Sequence, residues 1–62
     1  MKIRDILKRL KKEGWVLDRQ QGSHRQYVHP QKEDTVTIPG KPGDDVAVGT
    51  LHSIEKQAGW RK

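Results

Sequence analysis

The chain has no cysteine. That removes disulfide staples and thiolate metal sites, and it fits a reducing cytosol. Phenylalanine is missing too, so two Trp and one Tyr must supply the bulky rings. No apolar run nears the ~20 residues that cross a bilayer. The opening MKIRDILKRLKK breaks every apolar pair with charge, which a secretory leader does not do. No carboxylate pair, Gly-rich phosphate loop or Ser-His-Asp arrangement rises above noise, and no internal repeat is present. At 62 residues the chain suits a single domain, spanning 1–62, with a modest core. A small, soluble, cytoplasmic domain is the expectation.

Positive charge is what the chain has in plenty. Lys and Arg number 13 against 8 Asp and Glu, for a net charge of +5 and a pI near 9.9. A basic excess on so small a domain points to a polyanionic partner, nucleic acid above all. Part of it serves solubility. Lys2, Arg4, Lys8, Arg9, Lys11 and Lys12 crowd the first segment, and Arg19 and Arg25 flank a Gly-Ser-His triplet. The acids Glu33, Asp34, Asp44 and Asp45 fall in later loops.

Ile3, Ile6, Leu7 and Leu10 recur at helical spacing and predict an amphipathic helix over 3–13, stopped by Gly14. WVLDRQ (15–20) reads as a strand, Gln21-Gly22 as a tight turn, and SHRQYVH (23–29) as the returning strand. Residues 30–34 form the next turn and TVTIP (35–39) a third strand. Residues 40–47, with two Gly and one Pro, read as a mobile loop. Val48, Leu51, Ile54 and Ala58 then share one face of a helix over 48–58, stopped by Gly59, with Trp60 folding back onto the core. The expected class is α+β: an α-β-β-β-α order, with a three-stranded antiparallel sheet and two helices on one face. That order matches the double-stranded-RNA-binding-domain (dsRBD) topology, an analogy that carries no activity by itself.

His24 is the residue with most chemical reach, since histidine can take and give protons near neutral pH. Metal-free RNA cleavage needs a base for the 2′-hydroxyl, an acid for the leaving 5′-oxygen, and positive charge at the phosphate. His24 fits the first two roles. Arg19 or Arg25 fits the third, and Gly22 lets a phosphate approach the backbone. The plainer reading is an unreactive surface histidine beside a turn. Strand alternation puts Ser23, Arg25, Tyr27 and His29 on one face and His24, Gln26 and Val28 on the other, so His24 and His29 do not form a pair. His52 reads as solvated. The three histidines lack ligand spacing, and neither metal nor cofactor is expected. Tyr27 could stack on a base or pack in the core. Lys8 and Lys12 on the basic helix could touch phosphates or simply be solvated. Trp15 and Trp60 read as core.

Three segments carry a family resemblance: LKRLKKEGW (7–15), RQQGSHRQY (19–27) and GTLHSIEKQAG (49–59), with TVTIP between the last two. On these the chain resembles the HicA-type toxins, the mRNA-interferase partners of HicB antitoxins. Glu55 stands where that family usually has an apolar residue. The resemblance implies a dsRBD-like fold and a toxin that cleaves mRNA without metal. It implies a catalytic histidine at His24, with Gly22 and Ser23 as motif positions, and inhibition by a HicB-like protein covering the active face. The competing expectation is a non-catalytic dsRBD-like RNA-binding module. Against it, the second helix starts VAVGTLHS, without the Lys or Arg that dsRBDs use there to grip phosphate.

Overall fold

The computed structural model describes residues 1–60. Its elements are α1 (Ile3–Lys12), β1 (Val16–Gln21), β2 (His24–His29), β3 (Lys32–Ile38) and α2 (Val48–Ala58). The strands form one antiparallel sheet in the order β1-β2-β3. The expected α-β-β-β-α architecture is therefore observed.

Both helices pack on one face of the sheet, because each carries a single apolar stripe that must leave water. Ile3, Ile6 and Leu10 of α1, Trp15, Val36 and Ile38 of β3, and Ile54 and Ala58 of α2 form the core. Every residue of β1 stays exposed, so that strand is held by pairing with β2 rather than by burial. Val48 departs from expectation: it is 69% exposed, because α2 reaches the core only one turn later, at Leu51. Trp60 does pack against the core. Its Nε1–H donates to Glu13 Oε1 at 2.7 Å, and the Arg9 guanidinium lies 4.0 Å from its ring. The indole hydrogen bond, and then Arg9, hold the Glu13 carboxyl below its ordinary value of 4.5.

Gly14 ends α1 with φ 93°, and Trp15 N–H then reaches back to Leu10 O at 2.9 Å. A Cβ here would also meet His29 Nε2 at 3.2 Å. The loop expected to be mobile is tied to the start of α1. Ile3 N–H donates to Asp44 O and Arg4 N–H to Pro42 O, both at 2.9 Å, filling two of the donors a helix N-terminus leaves open. Lys2 Nζ pairs with Asp45 at 2.9 Å. β3 begins at Lys32, earlier than the expected Thr35, and its outer edge is partly covered where Thr37 N–H donates to Gln57 Oε1.

Candidate active site

The first hairpin sets the site. Gln21 pairs with His24, which leaves Gly22 and Ser23 as a two-residue turn, one position later than the expected Gln21-Gly22. Gly22 has φ 57° and, among the described residues, none other than glycine has positive φ, the sign pattern of a type II′ turn with glycine first. Beyond Gly22 and its two chain neighbours, no atom lies within 4 Å of where a Gly22 Cβ would sit, so the turn presents open backbone. His24 follows directly and is exposed.

Register then decides which side chains join it. Leu17 pairs with Tyr27, but Arg19, not Asp18, pairs with Gln26. One extra residue is therefore inserted in β1 at Asp18. In a regular strand Leu17 and Arg19 would share a face. The bulge instead leaves Leu17 on the helix side and turns Arg19 to the helix-free side. Cross-strand partners share a face, so Arg19, Gln21, His24 and Gln26 all come out together. They line one depression of about 20 Å³. That holds roughly one water molecule or one phosphate oxygen, and not a base. Gln21 and Gln26 add neutral hydrogen-bonding groups that were not singled out from the sequence. Alternation along β2 already pointed to Gln26; Gln21 needed the exact turn.

The other candidates lie elsewhere. Arg25 pairs with Ile38 on the helix side, and its Nη1 donates to Gly40 O at 3.1 Å. Tyr27 packs against the core. Lys8 and Lys12 project from α1 on the side of the sheet away from the depression. His29 is committed to structure: its Nδ1 accepts from Gln31 N–H at 3.0 Å, which leaves Nε2–H to donate to Glu13 O at 3.0 Å. Its ring meets Trp15 edge-on, with centroids 5.2 Å apart. The expected split of His24 from His29 is thus what the strand shows. His52 is exposed on α2. Among the described residues no three His, Asp or Glu side chains are grouped to hold a metal ion, and no helix is long and apolar enough to cross a membrane.

The arrangement defines a class before it defines a family: a small helix-backed sheet whose bare face offers one imidazole beside one guanidinium. Residues 3–60 match the family model described as the HicA toxin of bacterial toxin–antitoxin systems, and the chain belongs to that family. Among curated proteins none matches it. Membership makes it a toxin component and implies an antitoxin partner.

Proposed function

We propose that this domain, residues 1–62, is a metal-independent endoribonuclease that cleaves mRNA, acting in the cytoplasm and neutralised by a HicB-like antitoxin. The carrying observation is the exposed His24 sharing its depression with Arg19 on the bare sheet face. The neutral imidazole removes the proton of a ribose 2′-hydroxyl. The O2′–P bond forms, the P–O5′ bond breaks, and the leaving oxygen takes a proton from the imidazolium or from water. Arg19 holds the phosphate oxygens where negative charge builds up, and the open turn at Gly22 and Ser23 lets the backbone come close to the strand. Arg25, Tyr27, Lys8 and Lys12 take no part in the chemistry.

The test is induced expression of His24→Ala beside the parent, with RNA integrity followed in the cells. The variant should neither arrest growth nor cut RNA. Full toxicity of His24→Ala would refute the mechanism. A dsRBD-like binding module would instead leave RNA intact under the purified parent protein, with affinity falling steeply in salt. The first turn of α2, Val48-Gly49-Thr50, carries no cation for that mode.

A further inference from the structure

A second surface lies round the edge of β1 from His24. Among the described residues four large apolar side chains are exposed, and two of them, Val16 (57%) and Leu17 (44%), are neighbours on this strand. With Leu7 of α1, Trp15 and Tyr27 they line an open groove of about 750 Å³ between α1 and the outer edge of β1. Its rim is cationic: Arg4, Lys8 and Lys11 line the helix side, and no acid lines the groove at all. Among the described residues nothing fills it.

We infer that this groove is the anchor site for the antitoxin, and that it takes an amphipathic segment with an apolar stripe flanked by Asp and Glu. Three observations select that occupant. The floor is apolar and aromatic, which suits buried protein side chains better than a sugar–phosphate chain. The one-signed rim selects acidic flanks and repels basic ones. The bulge at Asp18 interrupts the free edge of β1, so contact comes through side chains in the groove rather than through an added strand. The inference rests on the toxin reading for the identity of the partner, but it puts the anchor on a surface other than the one that holds His24. Holding the toxin and blocking its chemistry are then separable.

The experiment uses the full chain and the purified product of the adjacent reading frame. Titration calorimetry compares the parent with Leu17→Glu, Lys11→Glu and His24→Ala, with circular dichroism confirming each fold. Leu17 and Lys11 are exposed, so neither change opens the core. Leu17→Glu should weaken binding by at least about thirtyfold, as the loss of a central apolar contact does. Lys11→Glu should slow association and flatten the salt dependence, and His24→Ala should bind within about threefold of the parent. In cells Leu17→Glu should stay toxic and escape rescue by the neighbour. Unchanged binding by Leu17→Glu overturns the inference. So does a folded Leu17→Glu that loses RNA cleavage, which would give the groove to RNA, or a large loss of binding by His24→Ala, which would put the anchor on the bare face. A toxic His24→Ala would instead refute the proposed mechanism and leave these titrations standing.

Discussion

His24 and His29 sit five positions apart in one strand and do unrelated work. The first meets solvent; the second joins β2 to the end of α1 through the Glu13 carbonyl and the Trp15 ring. His29→Ala should therefore lower stability by about 2 kcal/mol, the loss of one hydrogen bond and one ring contact, as read by urea unfolding. His24→Ala should leave the unfolding midpoint where it is, because the residue is exposed and outside the core. Alternation told the two apart in the sequence. It could not assign His29 its partners, since Glu13 and Trp15 are brought to it only when the sheet closes on α1. Gly22 was legible for a local reason, the need for positive φ, and Gly22→Ala should cost about 1 kcal/mol through that turn alone.

Elements, rather than residues, decide which arginine shares a depression with His24. Arg19 lies three positions before the Gly-Ser-His triplet and Arg25 directly after it, and both were candidates. The fold sends Arg25 to the helix side, where it ties β2 to Gly40, and the bulge in β1 sends Arg19 to the bare side. Arg19→Ala should cut the rate of RNA cleavage by about 10²–10³-fold with stability unchanged. Arg25→Ala should do the reverse: near-parental cleavage per folded molecule, and a stability loss of about 1 kcal/mol. Equal effects of the two variants on cleavage would show that the bulge does not sort them. Simple period-two counting puts Leu17 with Arg19, so the pairing could not be read before the bulge was seen. The helices and their order were readable because their apolar spacing is strictly periodic. The start of β3 was not, since Lys32-Glu33-Asp34 looks like a turn by composition.

At the scale of the whole molecule, the described residues stand on eight buried side chains from α1, β3, α2 and Trp15. Ile54→Ala should cost about 3 kcal/mol, a large share of the ~5 kcal/mol such a small domain commands, and leave it partly unfolded at 37 °C. The end of α1 meets the residue that follows α2's glycine stop at the Glu13–Trp60 hydrogen bond. The folded Glu13 carboxyl titrates below its ordinary 4.5, so its contribution is fully present above that pH and is lost as pH falls through the folded value. Thermal melts should show a drop in stability on acidification below about pH 4.5, and Glu13→Gln should make that drop smaller. The α-β-β-β-α order of the whole was open to sequence reading. The groove was not, because Leu7 and Leu17 look like ordinary core residues until the strand edge between them is left uncovered. Asp18 has one more effect. β1 holds one residue more than its pairing requires, so a chain lacking Asp18 could keep Arg19 opposite Gln26 while presenting a straight, flat border to other copies. Such a shortened protein should cut RNA normally when dilute and associate into dimers and larger species when concentrated, a change that sedimentation would register.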